Sequence, residues 1–414
     1  MDLRSTGHSE GDIKKPYLDV AQKTSSIRAA NMTHIFRYPS SRRSMRPGIM
    51  LTGKGETGWN GGAEVSIAAR MERHTQKRDE RVRFNTKGGT NMKVLGLTCG
   101  RKMSNTEILV KEALMGAEEM GAEVEIVRLM DLNIRPCTGC NSCVIDLFEK
   151  AGSGECVIKN DDFKFIDDKI LDCDGLILGS PVYEKAPQGL LKILNDRMGP
   201  SHDLAFRIIA KKIREEKGIT KGKGPDERSF KPRVASLFAV GGSDWTTLAL
   251  PMLQIFALPM NMTVVDQHVF NWTALPAIVV LKPEMLERAR RSGRHVAETL
   301  KKPIEEAKYI GDPGRCPVCH SNVLELGKTT ELVTCAVCGV KGTLKTKGDD
   351  YELEVTDEAK ALSHVLLSGK FHHGDDLRDV ALKPDPRMAE IPALIKKYKS
   401  YLTYSRPARA ATAK

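Results

Sequence analysis

From Met92 onward, short and almost wholly apolar runs alternate with amphipathic stretches of helical spacing, a pattern that few folds satisfy. Lys93–Thr98 has the composition of a strand buried on both faces. A polar loop, Cys99–Thr106, leads into a stretch with Ile108, Leu109, Ala113, Leu114 and Ala117 near helical spacing, closed by Gly121. Further strands are expected at 124–129, 175–179, 234–240 and 262–266, and helices at 161–171, 188–198, 248–258 and 283–301. Such alternation builds an α/β domain over residues 92–310, a doubly wound five-stranded parallel sheet with helices on both faces. Ligands of these sheets bind outside the carboxyl ends of the strands. The loops 99–106, 180–187 and 241–247 therefore frame the expected site.

The first of these loops carries Arg101, the Ser104 and Thr106 hydroxyls and the Asn105 amide at a helix start. Unpaired N–H groups and the helix dipole at such a start attract a phosphate, although Ser104 is equally an ordinary helix cap. Gly179-Ser180-Pro181-Val182-Tyr183 follows the third strand, and Gly241-Gly242-Ser243 the fourth. Small, polar and aromatic residues at three strand ends suit a phosphate attached to a flat ring system. His202, Trp245 and His268 could border that site, but packing is the default expectation for each, as it is for Cys173.

Eight of the ten cysteines fall into two groups, and with no secretory signal they read as metal ligands rather than disulfides. Cys137, Cys140 and Cys143, in Cys-x2-Cys-x2-Cys spacing, put three thiols within reach of one cluster, and Cys156 is the natural fourth ligand. A [4Fe–4S] cluster, a single zinc, and thiols that hold no metal all fit the spacing; the first is favoured. Cys316 and Cys319, then fifteen residues, then Cys335 and Cys338 form the two knuckles of a zinc ribbon at 311–356. Short strands are expected there at 323–326, 332–334, 342–345 and 351–355. Structural zinc suits so small a unit, and redox iron on rubredoxin-like knuckles is the alternative.

Arg101 with Ser104-Asn105-Thr106, the run Pro136–Cys143, the stretch Cys156–Asp162 and Gly179–Tyr183 together resemble the NAD(P)H-dependent FMN reductase group of flavodoxin-like proteins, especially its iron–sulfur flavoprotein branch. The resemblance covers Met92 to about residue 310. It implies a flavodoxin-like fold and FMN, with the phosphate on 101–106 and the isoalloxazine held by Ser180, Pro181, Val182, Tyr183, Gly241 and Gly242. It implies NAD(P)H or ferredoxin as electron donor, and a homo-oligomer, dimer or tetramer, with each flavin near a subunit boundary. Where the family commonly has Gly-Ser-Pro, this chain has Thr98-Cys99-Gly100, so Cys99 offers the phosphate a poorer donor than serine. The gap before the fourth cysteine is commonly shorter in that branch, so 147–155 reads as an insertion able to fold back. The implied function is an FMN-dependent oxidoreductase or electron carrier, passing electrons between FMN and the cluster. The competing class is a redox-responsive binding protein without turnover. Flavin chemistry belongs to the cofactor, so no catalytic side chain is named.

The net charge of +11 does not mark a nucleic-acid face, because residues 1–91 hold 17 Lys and Arg against 9 Asp and Glu. That segment lacks periodicity and is expected to be a disordered leader. Met92 directly precedes the first strand, and Lys87-Gly88-Gly89 can be encoded by a purine-rich ribosome-binding sequence, so Met92 reads as the natural start. A transit peptide is weakened by Asp12, Asp19 and Glu64. No run reaches the roughly 18 apolar residues of a membrane span, and a cytoplasmic location is expected. The cysteine loop is bounded at 133–160. Residues 200–231 read as a charged insertion with a short helix at 211–217, and 357–414 as a tail with helices at 359–368 and 388–401. His364, His372 and His373 near Asp375 and Asp376 read as solvated rather than metal-binding.

Overall fold

The computed structural model describes residues 92–328, 332–382, 385–402 and 405, so the expected leader lies outside the described residues. Its main sheet comprises β1 (Lys93–Thr98), β2 (Glu123–Arg128), β3 (Gly175–Tyr183), β4 (Ala186–Pro187), β5 (Val234–Val240) and β6 (Thr263–Phe270). Five strands run parallel in the order β2-β1-β3-β5-β6, while β4 folds back antiparallel onto β3. Without β4 this is the doubly wound flavodoxin-like order, whose direction reverses between β1 and β3. β3 and β6 run longer than expected because pairing with β5 continues to Pro181 and Phe270.

The helices of this domain are α1 (Asn105–Glu119), α2 (Ser142–Glu149), α3 (Phe163–Asp172), α4 (Gly189–Met198), α5 (Leu204–Glu216), α6 (Ala249–Ala257) and α7 (Pro283–Leu300). Side chains alternate across each strand. Val94, Ile177, Val234 and Phe238 pack beneath α1 and α7, whereas Leu95, Leu97, Leu176 and Leu237 pack beneath α3, α4 and α6. Each fully buried Leu or Phe of these layers contributes roughly 1.5–3 kcal/mol. α1 and α7 touch backbone to backbone: a Cβ on Gly293 would lie 1.6 Å from the Ala113 carbonyl oxygen. Arg290 of α7 then donates to Glu112 and Glu119 of α1. The helix that presents the first site loop is thus pinned from behind.

Residues 200–231 differ from the expected charged loop. Asp203 caps α5, its carboxylate accepting from the Ala205 N–H, and the apolar run from Leu204 makes a full helix. Phe206 of α5 meets Phe148 of α2 edge to face at 5.2 Å.

The second sheet is β7 (Leu324–Leu326), β8 (Val333–Cys335), β9 (Lys341–Lys347) and β10 (Asp350–Glu354), in the order β10-β9-β8-β7. It is keyed to the first domain. Gln254 of α6 donates to the Cys319 carbonyl at 2.5 Å, and Gln267 of β6 to the His320 carbonyl at 2.9 Å. Tyr309 stacks on His320 with ring centroids 3.7 Å apart. The single helix expected at 359–368 is instead α8 (Asp357–Ala361) and α9 (Leu367–Leu382). The break arises because His364 N–H and the Ser363 hydroxyl both donate to the Cys338 carbonyl. The expected 388–401 helix is divided between the short α10 (Ile391–Leu394) and α11 (Lys396–Ser400). No described helix is long and apolar enough to cross a membrane.

Candidate functional site

β1 delivers the Cys99–Thr106 loop to the point where the strand order reverses. Ser104 caps α1 by accepting the Glu107 N–H at 3.3 Å, and the Glu107 carboxylate accepts the Met103 N–H at 3.1 Å. Among the described residues, the N–H groups of Asn105 and Thr106 meet no acceptor, leaving two donors free for an anion at the positive helix end. Gly100 packs so tightly that a Cβ would lie 2.3 Å from the Ser104 hydroxyl, so only backbone is presented there. Arg101 and Ser104 lie at the mouth and the Thr106 side chain is buried beneath it.

Two expected loop ligands point elsewhere. The Asn105 amide donates to the carbonyls of Thr273 (2.7 Å) and Leu275 (2.9 Å), and its oxygen accepts the Val279 N–H at 3.3 Å. Cys99 is wholly buried in the core beneath the loop, its N–H bonded to the Gly179 carbonyl. Burial pushes the Cys99 thiol up to about 12, against the pull of the Ser180 hydroxyl.

Beyond the anion loop, the β3–β4 hairpin and the 241–245 loop enclose an open cleft of about 230 Å³. Val182, Glu184, Lys185, Gly241, Gly242, Ser243 and Trp245 line it. Ser180 is buried and its hydroxyl accepts the Gln188 N–H at 3.0 Å, closing the hairpin's base, while Pro181 stays paired with β5. The Gly241 carbonyl accepts both the N–H and the hydroxyl of Thr273. A Cβ on Gly241 would lie 2.4 Å from the Thr246 methyl. Tyr183 at the end of β3 is 60% exposed, Trp245 in the cleft wall 66% and Trp272 after β6 65%. Trp245 therefore departs from its expected packing role. Glu184 and Lys185 were not legible as site residues, because neither is the Asn or Gly that usually marks a two-residue hairpin. His202 and His268 do pack: His202 bonds Asp167 and the Met198 carbonyl, and His268 bonds Asp312. Burial would raise the Asp167 carboxyl, but the charge and hydrogen bond of His202 outweigh it and hold it low.

The two cysteine groups differ in geometry. Cys316, Cys319, Cys335 and Cys338 have all four sulfurs within 4.8 Å of one another, buried or nearly so. Cross-knuckle pairs lie at 3.6 Å (Cys316–Cys338) and 3.5 Å (Cys319–Cys335), close to the edges of a tetrahedron of thiolates around one ion. Gly339, at φ +70°, turns the second knuckle where a Cβ would strike the His364 ring. Among the described residues this quartet alone gathers three or more His, Cys, Asp or Glu ligands. Cys137 and Cys140 are exposed and Cys143 and Cys156 half-buried, and no three of their sulfurs gather as closely as those of the ribbon quartet. Their loop is nonetheless built. Buried Arg197 pairs with Asp161 and donates to the carbonyls of Arg135 and Ile158, tying together the two ends of the segment. Gly152 and Gly154 fold back onto Asp146, as the inserted residues led us to expect. The Ser142 hydroxyl holds the Cys140 thiol below its ordinary value, whereas burial raises Cys143.

Residues 92–274 match the family model described as NADPH-dependent FMN reductase. A flavone synthase of Aspergillus candidus is 33% identical over 299 residues, covering 69% of this chain and 88% of that protein. An iron–sulfur flavoprotein of Methanocaldococcus jannaschii is 42% identical over 110 residues, 26% of this chain and 53% of its own length. The solved structure of a flavone reductase superposes with a TM-score of 0.63 at 34% identity, covering 77% of this chain and 100% of that one.

Proposed function

The chain belongs to the NADPH-dependent FMN reductase family and is an FMN-dependent oxidoreductase; from that premise we propose that its acceptor is a flavone-class aromatic enone and its donor NAD(P)H. The observation that supports this reading is the rim of the cleft, where the Trp245 ring lines the opening and is 66% exposed, with Tyr183 exposed at the end of β3. A flat conjugated ring fits such a wall, and aromatic rings favour offset or edge contacts with it. Hydride transfer in opposite directions across the conjugated C=C bond of a flavone also accounts for relatives named as a synthase and as a reductase.

The residues present fit FMN. Arg101, Ser104 and the free N–H groups of Asn105 and Thr106 would hold its phosphate, and Val182, Gly241 and Gly242 would border its ring, while the buried Thr106 and Ser180 side chains support those loops from beneath. Bound there, FMN supplies hydride transfer that no side chain of the chain can perform. The protein's part is to bind and orient. Asn105 fixes the 273–279 loop against the anion loop, Ser180 fixes the hairpin, and Trp245 borders the cleft. The ribbon holds one zinc as a structural staple in this reading. The test is anaerobic turnover of the FMN-loaded enzyme with NADPH and flavone. A product heavier by two hydrogens supports the proposal, and NADPH oxidation that leaves flavone unchanged sinks it.

A second reading, electron transfer through a [4Fe–4S] cluster on Cys137, Cys140, Cys143 and Cys156, is favoured by the 42% identity to an iron–sulfur flavoprotein. Those four thiols are spread too widely for one ion, whereas each cysteine of a cubane would hold a different iron; no step is routed through a cluster. Iron and sulfide assayed on anaerobically purified protein decide between the readings: about four of each per chain for the cluster, none for the plain reductase.

A further inference from the structure

Helices α10 and α11 form one continuous run from Ile391 to Ser400, because Ile395 between them is itself right-handed and its N–H donates to the Ile391 carbonyl at 3.0 Å. Ile391, Leu394, Ile395 and Tyr398 stand at i, i+3, i+4 and i+7, the spacing that gathers four side chains on one face. In a folded protein such a face is normally turned to a core. Here Leu394 is 52% exposed and Tyr398 66%, Ile391 is exposed too, and Tyr401 and Leu402 just past the helix are more exposed still.

The other faces are basic. Lys397 and Lys399 fall on either flank of the apolar stripe and Lys396 on the far side, all three exposed. From Ile391 to Lys414 the sequence holds six Lys and Arg and three Tyr, with no Asp or Glu to neutralise them. A nucleic acid would meet the lysines and leave the apolar stripe in water. A second copy of the chain could cover the stripe, but one short helix falls well short of the roughly 20–30 residues a side of a stable protein interface. An anionic bilayer surface satisfies both halves of the pattern. Its headgroups meet the lysines, the apolar side chains enter the acyl boundary, and tyrosines sit at the level between.

We propose that residues 391–402 dock in the plane of an anionic lipid bilayer and hold the protein there as a reversibly bound, peripheral enzyme. No described helix crosses a membrane, and this contact requires none, because it is made from one side only. Each Lys or Arg at an anionic surface raises the partition coefficient about fivefold, so Lys396, Lys397 and Lys399 together contribute roughly a hundredfold. The apolar stripe adds to this in proportion to the area it buries. Salt screens the first contribution and leaves the second. The inference does not depend on which acceptor the flavin reduces.

The test is co-sedimentation of the full FMN-loaded chain with vesicles of phosphatidylcholine alone and of an equal mixture of phosphatidylcholine and phosphatidylglycerol. Wild type is compared with two variants, one carrying Lys396→Gln, Lys397→Gln and Lys399→Gln, the other Leu394→Ser and Tyr398→Ser. FMN content and thermal melting show that both variants are folded. Residues 1–91 are also basic, so the differences between wild type and variants decide. Wild type is expected to prefer the mixed vesicles. The lysine variant should lose roughly a hundredfold in partition and the apolar variant about tenfold. If the lysine variant binds as wild type does, or no chain binds, the inference falls. If the apolar variant binds as wild type does, the lysines adsorb by charge alone and docking of the stripe is refuted. An apolar variant that changes oligomeric state in gel filtration but keeps its vesicle binding overturns the inference in favour of a contact between copies. Retention of wild type by duplex DNA but not by mixed vesicles overturns it in favour of a nucleic acid.

Discussion

Asn105→Ala separates two roles that an asparagine in the anion loop can play. The side chain makes three hydrogen bonds, all to backbone groups of residues 273–279, and none is aimed at the loop mouth. At about 0.5–1.5 kcal/mol net for each bond, their loss costs about 2–4 kcal/mol, more if the freed carbonyls stay buried. The cost falls on the apoprotein, because every partner is protein. Urea unfolding of FMN-free wild type and variant should therefore show a lower midpoint for Asn105→Ala, and added FMN should raise both midpoints by mass action and leave the difference in place. Had Asn105 bound the phosphate directly, the apoproteins would unfold alike and only the FMN affinity would fall. Equal apoprotein midpoints with a weakened FMN complex would refute the anchoring argument.

Other outcomes follow from the same geometry. Cys335→Ser should remove the one metal ion that the Cys316, Cys319, Cys335 and Cys338 quartet is proposed to hold, as read by elemental analysis of wild type and variant. It should also lower the melting temperature of the flavin domain, because Gln254 and Gln267 lose the knuckle carbonyls they are bonded to; unchanged melting would show that the two units are independent. A hydrogen bond from Arg228 leads the effects that hold Asp226 at about 2, below the ordinary carboxylate value. A depressed carboxyl stabilises the fold above its unfolded value, near 3.9, and that share is lost as pH falls toward the folded value. Asp226→Asn should thus be less stable than wild type above about pH 4, with the gap closing toward pH 2 in thermal melts.

Much of this architecture is legible in the sequence because buried parallel strands and amphipathic helices leave distinct periodicities. Lys93–Thr98 and Val234–Val240 stand as expected, and both Cys-x2-Cys knuckles converge. Local pattern fails where a tertiary partner decides. The backbone of His364 turns aside to meet Cys338, splitting a helix that composition alone would continue. Leu204 to Ala210 was hidden by the charged residues after it, although Asp203 supplied a cap signal. In the site, residue types were readable but directions were not. Asn105 and Cys99 belong to the expected loop, yet one amide reaches a loop far along the chain and the thiol turns into the core. Glu184 and Lys185 contradict the turn chemistry their positions call for, and such local violations concentrate at functional sites.

The central claim is tested most directly by following the flavin itself. Holoenzyme is reduced anaerobically with one equivalent of NADPH and mixed with flavone in a stopped-flow spectrometer. Flavone is expected to restore the oxidised flavin absorbance in a single turnover, with one equivalent of the dihydro product recovered. Reduced flavin that persists in the presence of saturating flavone would contradict it.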